Sequence, residues 1–191
     1  MINSVKAFNR GVNHMKKLLG EERREAIITI LKNEQRPVTG TALAKRTNVS
    51  RQVIVNDMAL LKAKNEPIMA TSQGYVYLSE HPNHRVFERE IASFHTPEQA
   101  EDELNTLVDA GVTVKNVTVE HPVYGEITAS IMVSSRYDVQ QFIQKVTATE
   151  ASLLMNLTEG AHLHVISADD EKKLDAAIEQ LHLKGYLLPE A

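Results

Sequence analysis

The sequence of 191 residues contains no cysteine. This absence excludes disulfide bonds, cysteine-ligated zinc and thiol nucleophiles. No apolar run approaches the roughly 20 residues that a transmembrane helix needs, and the first residues have no apolar signal-peptide core. These absences exclude a membrane-spanning protein and favour a cytoplasmic one. They leave the eight histidines as the richest source of site chemistry.

The common catalytic motifs are also missing. The chain has no G-x-S-x-G nucleophile motif, no glycine-rich phosphate loop and no H-E-x-x-H zinc motif. A metal bound beside a carboxylate could hydrolyse a substrate, but no general base accompanies such a cluster here. We therefore predict that the protein is not an enzyme.

Charge is distributed unevenly along the chain. Residues 1–80 carry 13 Lys and Arg against 7 Asp and Glu, a net charge of +6. Residues 81–191 carry 8 Lys and Arg against 18 Asp and Glu, a net charge of −10. A basic half joined to an acidic half predicts two domains with different partners. A polyanion such as DNA favours the first half.

The basic half has the pattern of a winged helix-turn-helix, predicted over residues 21–80. After a helix that begins at Glu21, Thr39 caps a second helix and Ser50 caps a third. Asn48 lies between them, where a tight turn needs a residue that tolerates the left-handed conformation. Two short strand-like runs follow within residues 68–79 and predict the wing. Residues 1–20 are a weakly patterned leader, helical or disordered.

The third predicted helix is the candidate recognition helix, whose first residues face base edges in the major groove. Arginine pairs with guanine, and glutamine or asparagine with adenine, whereas basic residues near the groove contact phosphates. A solvated three-helix bundle is the alternative, and the turn spacing together with the charge favours DNA binding. The candidate DNA contacts are Thr39, Lys45, Arg46, Ser50, Arg51, Gln52, Val55, Asn56 and Lys62.

The acidic half, residues 85–191, follows a polar linker that contains His81 and His84. Its pattern is β-α-β-β-α-β-α, with strands predicted at 86–94, 112–121, 126–134 and 162–168. A central hairpin between two crossover helices predicts a split βαβ open-faced sandwich. The whole chain is therefore predicted to be α+β.

Three histidines and one glutamate are candidate metal ligands. His162 and His164 stand two residues apart on a strand, so both imidazoles project from one face. His95 lies at a strand–helix junction, and Glu103 is eight residues further on. Three imidazoles and a carboxylate suit zinc, nickel or iron. By spacing alone, a metal site and a polar patch remain equally acceptable.

His121 belongs to the run EHPVYGEI, at the mouth of the central hairpin. Such a place suits contact with a small ligand. The alternative is a turn whose proline and glycine are there for backbone geometry, and the residues alone favour that alternative.

The sequence resembles the nicotinate-responsive transcriptional repressors that carry a three-histidine (3H) domain. VSRQVIVNDMALL resembles their winged helix-turn-helix, and SFHTPEQAEDEL, VTVEHPVYGEI and GAHLHVI resemble their regulatory domain. The resemblance covers residues from about 21 to 188 and is most specific in EHPVYGEI and the H-x-H pair. The leader has no counterpart, and Asn48 stands where many such turns carry glycine.

This resemblance implies a homodimeric repressor of niacin uptake and NAD synthesis genes, with nicotinate as co-repressor and a palindromic operator. It implies a divalent transition metal on His95, Glu103, His162 and His164. The remaining signature histidine falls on His121, which together with Tyr124 becomes a candidate nicotinate contact. The alternative is a metal-dependent enzyme or a metal-sensing regulator that does not respond to nicotinate.

Overall fold

The computed structural model describes residues 19–34, 36–78 and 86–189. Most of the predicted leader, His14 and the linker histidines lie outside these ranges. The described residues include no helix that is long and apolar enough to cross a membrane. The six helices of these ranges are α1 (Gly20–Asn33), α2 (Gly40–Thr47), α3 (Arg51–Ala63), α4 (Ala100–Asp109), α5 (Arg136–Ala148) and α6 (Glu171–Lys184).

The head consists of α1, α2, α3 and the hairpin β1 (Ile68–Thr71) and β2 (Gly74–Tyr77). The predicted caps are confirmed: the Thr39 hydroxyl accepts from the Ala42 amide, and the Ser50 hydroxyl from the Val53 amide. Asn48 has φ 54° and ψ 48°, so the left-handed turn between α2 and α3 is confirmed. This turn sets the angle between the two helices.

The core of the head is apolar around one buried carboxylate, which pairs with Arg23 and Arg24. Apolar residues from the three helices and β1 fill it, among them Ile27, Leu43 and Ile54, each 0% exposed. Asp57 is buried on α3, and its carboxylate accepts from the Arg23 guanidinium at 2.6 Å. Because a buried carboxylate is costly unless it is paired, this bond fixes α1 against α3, the candidate recognition helix.

The second described domain, residues 86–189, is named the regulatory domain below after the resemblance. It is built on one antiparallel sheet of four strands, in the order β3-β6-β4-β5. β6 lies between β3 and β4, and β4 lies between β6 and β5. Each βαβ unit is thereby split by a strand that runs the opposite way, as predicted. The strands are β3 (Phe87–Phe94), β4 (Thr113–His121), β5 (Gly125–Val133) and β6 (Ala161–Ala168).

The helices α4, α5 and α6 form a second layer, with α4 in contact with the other two. The main core lies between this layer and the sheet and includes Leu107, Val114, Ile166 and Leu181. Every second residue of a strand faces the helices, because strand side chains alternate. The predicted α+β class with an open-faced sandwich is confirmed.

Three details differ from the sequence expectations. The helix expected from Pro97 starts as a 3₁₀ turn (Pro97–Gln99) before α4. A second 3₁₀ segment (Leu154–Thr158), for which no element was predicted, leads into β6. The chain after α6 returns to the edge of β3, where the Leu188 amide donates to the Ala92 carbonyl at 3.0 Å. Short 3₁₀ pieces carry no hydrophobic periodicity, so a periodicity analysis does not predict them.

Candidate metal centre and DNA-binding surface

Three secondary-structure elements bring the four candidate metal ligands together. His95 directly follows β3, Glu103 lies in the first turn of α4, and His162 and His164 lie on β6. The two β6 histidines face the helices because they alternate with Leu163. All four side chains are buried. Four buried polar residues in an otherwise apolar layer need a compensating interaction.

The imidazoles meet at one carboxylate oxygen. Glu103 Oε2 lies 2.7 Å from His95 Nε2, 3.3 Å from His162 Nε2 and 3.3 Å from His164 Nε2. Ligand atoms of His95, Glu103 and His162 all lie within 4.8 Å of one another. The structure therefore brings together all four residues that the sequence singled out.

The other ring nitrogen of each histidine faces a main-chain carbonyl. Nδ1 lies 2.9 Å from Thr96 O in His95, 2.9 Å from Gly160 O in His162 and 2.6 Å from Asn116 O in His164. A carbonyl only accepts, so each Nδ1 carries a proton. The Nε2 atom of each ring is then free either to donate a second proton to the Glu103 carboxylate or to offer its lone pair to a metal ion. Metal-binding histidines are commonly oriented in this way.

The electrostatics of the cluster favour a cation at its centre. Burial by itself would raise the pKa of Glu103, but the charge of His164 and the bonds from the three imidazoles hold that pKa well below its usual range. Burial would lower the pKa of His164, and the Glu103 carboxylate raises it instead. Glu103 is thus a buried anion, and its charge must be balanced by positive charge nearby, either from protonated imidazoles or from a metal ion in their place.

Two buried oxygen atoms at the cluster lack hydrogen bonds. Within the part of the chain that the structure describes, Glu103 Oε1 and the Ser93 hydroxyl have no partner. Ser93 is paired with His162 in the register of β3 and β6, so it lies beside the cluster on the same face. Buried polar atoms are seldom left unpaired. The donor set and these two orphaned oxygens fit a bound metal ion and its remaining ligands.

Gly160 is required by the close packing at this centre. Its φ is 108°, and a Cβ on it would lie 2.5 Å from the His95 carbonyl oxygen. We expect Gly160→Ala to destabilise the domain by about 1–2 kcal/mol for the left-handed backbone alone, and to displace His95. Thermal unfolding with and without added Zn²⁺ measures both effects. Gly125→Ala is the control, since a Cβ at Gly125, with φ 70°, meets nothing within 4 Å. Equal losses in both variants would contradict the packing argument.

An apolar cavity of about 160 Å³ opens beside the metal candidates. Glu103, His162 and His164 form its polar end, and the 3₁₀ segment before β6 closes one side. Sequence reasoning missed this cavity, because its walls come from six separate parts of the chain. The apolar side chains of its wall include Leu104, Val117, Ile131, Phe142, Leu154 and Met155.

His121 and Tyr124 lie elsewhere, at the turn between β4 and β5. His121 Nδ1 accepts from the amides of Val123 and Tyr124, at 3.2 and 3.3 Å. The rings of His121 and Tyr124 are 4.9 Å apart, and Tyr124 is 76% exposed. Neither residue lines the cavity. His121 thus stabilises its own turn, and the predicted contact of both residues with nicotinate stays a prediction.

The candidate base contacts lie on the exposed side of α3. Arg51, Gln52 and Asn56 are exposed there, and Val55 is half-buried. The Gln52 amide nitrogen lies 3.4 Å from Asn56 Oδ1, so the two amides form one polar patch. The opposite side of α3 is buried through Ile54, Met58 and Leu61.

The candidate phosphate contacts surround this helix. Lys45 and Lys62 are exposed, and the Arg46 guanidinium donates to Glu34 at 2.6 Å. Thr39 and Ser50 each use a hydroxyl oxygen to cap a helix. The hydroxyl protons of these caps still allow donation to a phosphate.

Comparison with known proteins agrees with both halves of this architecture. Residues 23–76 match the HTH domain, and residues 88–190 match the 3H domain. The chain is 51% identical over 173 residues to the transcription repressor NadR of Bacillus subtilis (strain 168), a match that covers 90% of this chain and 96% of the relative. The chain belongs to the family of 3H-domain transcription repressors. As a member of that family it is a DNA-binding regulator and not an enzyme.

A second member of the 3H-domain repressors supports the same assignment. The probable transcription repressor NiaR of Thermotoga maritima is 39% identical over 177 residues, covering 93% of this chain and 99% of the relative. Both matches extend across the head and the regulatory domain. The predicted combination of helix-turn-helix and 3H domain is therefore confirmed.

Proposed function

We propose that this 3H-domain repressor controls niacin uptake and NAD synthesis genes and that nicotinate is its co-repressor. The observation that carries the proposal is the contact between the histidine–glutamate cluster and an apolar cavity of about 160 Å³. An apolar cavity of about 150 Å³ accepts benzene, so this one suits a single aromatic ring. Nicotinate is such a ring with a carboxylate.

His95, Glu103, His162 and His164 would hold one divalent transition ion. Three imidazoles and one carboxylate suit zinc, nickel or iron. When bound, the ion supplies positive charge at the polar end of the cavity and open positions for oxygen or nitrogen ligands. The regulatory half carries a net charge of −10, so an anionic effector needs this local positive charge.

The cavity walls would position the ring of the effector. Phe142 on α5 and Val117 and Ile131 on the sheet enclose the space, and Met155 closes it beside β6. These apolar side chains exclude water from the ring, so they strengthen electrostatic contacts at the polar end. His121 and Tyr124 do not line this cavity. Their predicted contact with nicotinate would therefore need a second binding position outside the cavity.

The head would recognise a palindromic operator as part of a homodimer in the cytoplasm. A dimer places two recognition helices one helical turn apart, about 34–36 Å or a multiple. The exposed patch of Arg51, Gln52 and Asn56 supports this role. A metal-sensing regulator without a nicotinate response is the second candidate. The observation that favours it is that the protein itself supplies four metal ligands, so an ion could bind without an effector.

Titration calorimetry of nicotinate into the metal-loaded protein, with and without operator DNA, tests the proposal. A useful co-repressor has a coupling free energy of about 1–3 kcal/mol. Linkage is reciprocal, so operator DNA should tighten nicotinate binding by the same factor by which nicotinate tightens operator binding.

The control variant is His182→Ala, which alters an exposed histidine on α6, and it should bind nicotinate like the wild type. His164→Ala should weaken nicotinate binding. Equal nicotinate affinity with and without operator would contradict the co-repressor role. An operator affinity that follows the metal concentration alone would favour the metal sensor.

A further inference from the structure

The tip of the β1–β2 hairpin is held by the regulatory domain. At the tip, the Ser72 amide donates to the Ser130 carbonyl at 3.1 Å, and the Ser72 hydroxyl donates to the Ile131 carbonyl at 2.6 Å. The Gln73 side chain donates to the Met132 carbonyl at 3.4 Å. These bonds make the tip an extension of the β5 edge.

The same tip is tied to α5. The Lys145 ammonium donates to the Ser72 carbonyl. The amide, the hydroxyl and the carbonyl of Ser72 thus all form hydrogen bonds with the regulatory domain. A wing that contacts DNA would need these groups free for phosphates.

The composition of the hairpin agrees with a role other than DNA contact. Residues 68–78, IMATSQGYVYL, contain no Lys, Arg, Asp or Glu. Phosphate affinity comes largely from Lys and Arg. Most basic residues of the head lie on its helices instead.

β5 connects the hairpin tip with the cavity. Ala129 and Ile131 line the cavity, while the carbonyls of residues 130–132 accept the bonds from the tip. Met132 has φ 51°, a left-handed conformation that costs a non-glycine residue free energy. A change in the cavity wall at Ile131 therefore reaches the tip through a single peptide unit.

The start of β2, directly after the tip, is fixed to the helix-turn-helix. The Val38 and Tyr75 backbones exchange two hydrogen bonds of 2.9 Å. Gly74 packs so closely that a Cβ on it would lie 2.5 Å from the Val38 carbonyl oxygen. Val38 directly precedes Thr39, the cap of α2. The hairpin and the DNA-binding helices consequently move together.

We propose that the hairpin tip, Ser72 and Gln73 on the carbonyls of β5, is the joint that transmits occupancy of the cavity to the DNA-binding head. The effector identity in this inference rests on the proposed function. An effector shifts the orientation of the head only if it binds two arrangements with different affinity. Ile131 would make the effector's affinity depend on the arrangement of the head, because its side chain lines the cavity and its carbonyl accepts the bond from Ser72.

A disulfide tests the joint without reference to any effector. The chain has no cysteine, so the variant Ser72→Cys with Ser130→Cys can form one intrachain disulfide. We expect it to form under mild oxidation of the full-length protein, and the two single variants to give no intrachain crosslink. The oxidised protein should bind the operator equally with and without nicotinate, and reduction should restore the response. Failure of the crosslink to form would overturn the joint.

Substitution at the tip tests the transmission. In Ser72→Ala with Gln73→Ala, the operator affinity without nicotinate should stay within about twofold of wild type, because a neutral tip adds no phosphate contact. The nicotinate-dependent tightening, about 5- to 150-fold in a working switch, should fall toward one. Gln52→Ala on α3 is the control. It should weaken operator binding but leave unchanged the ratio of operator affinities with and without nicotinate.

The outcomes separate the two proposals. A wild-type protein without any nicotinate response contradicts the proposed function, and crosslink formation still tests the contact. A responsive wild type with an equally responsive tip variant contradicts the joint alone. A tip variant that loses operator affinity to the same extent with and without nicotinate shows that the hairpin contacts DNA, and this also overturns the joint.

Discussion

His162→Ala is expected to reduce the metal content from about one divalent ion per chain to near zero. The side chain is buried at the centre of the cluster, with Nε2 3.3 Å from Glu103 Oε2. Its loss removes one of four ligands and leaves the Glu103 carboxylate with fewer partners. Changes to residues that only hydrogen-bond a metal ligand already cost about 10–100-fold in metal affinity. Loss of a direct ligand should therefore cost at least as much.

Elemental analysis of protein prepared without a histidine tag measures this stoichiometry. His182→Ala, on the exposed side of α6, is the matched control and should keep the full metal content. Glu103→Gln preserves the size of the side chain and separates loss of charge from loss of packing. A metal content near zero in the wild type, or one unchanged by His162→Ala, would contradict the site.

Arg51→Ala is expected to weaken operator binding by about 1–3 kcal/mol, the usual value for a bidentate contact with guanine. Arg51 is exposed at the start of α3, where a recognition helix meets base edges. The loss should be much smaller on unrelated DNA. Specificity at one base pair of each half-site should relax at the same time.

Lys62→Ala is the matched control, because Lys62 is an exposed cation near the end of the same helix. A phosphate contact carries no sequence information. This variant should therefore lower the affinity for all DNA sequences by the same factor and reduce the salt dependence of that affinity. Fluorescence anisotropy at several salt concentrations distinguishes the two behaviours. If Arg51→Ala weakens operator and unrelated DNA by one common factor, α3 is not the recognition helix as oriented here.

The cluster of candidate metal ligands could be predicted in part from the sequence, because local rules place two of its members. Alternation on a strand puts His162 and His164 on one face, whatever the rest of the fold. His95 and Glu103 were harder, since only the packing of α4 on β6 brings them there. The caps at Thr39 and Ser50 were predictable for the same local reason, as each acts within three residues.

The surroundings of the cluster could not be predicted in this way. The carbonyls of Thr96, Asn116 and Gly160 orient the rings, but every residue has a carbonyl and the sequence does not mark these three. Gly160 alone offered a signal, as a glycine two residues before the H-x-H pair. The cavity and the hairpin joint depend on contacts between residues as far apart as Ser72 and Ile131, which periodicity does not reveal.

The pairing of Arg46 with Glu34 affects how the head responds to salt. Release of counterions from DNA increases with the number of phosphates that protein cations neutralise. Arg46 is already neutralised by Glu34 at 2.6 Å in the free protein, so its transfer to a phosphate leaves a carboxylate beside the duplex. Lys45 forms no ion pair with Glu34, so its contact with a phosphate would break no such pair. We therefore expect the ionic-strength dependence of DNA binding to be shallower than the number of basic residues on the head suggests. Discrimination between DNA sequences would then depend more on the candidate base contacts of α3.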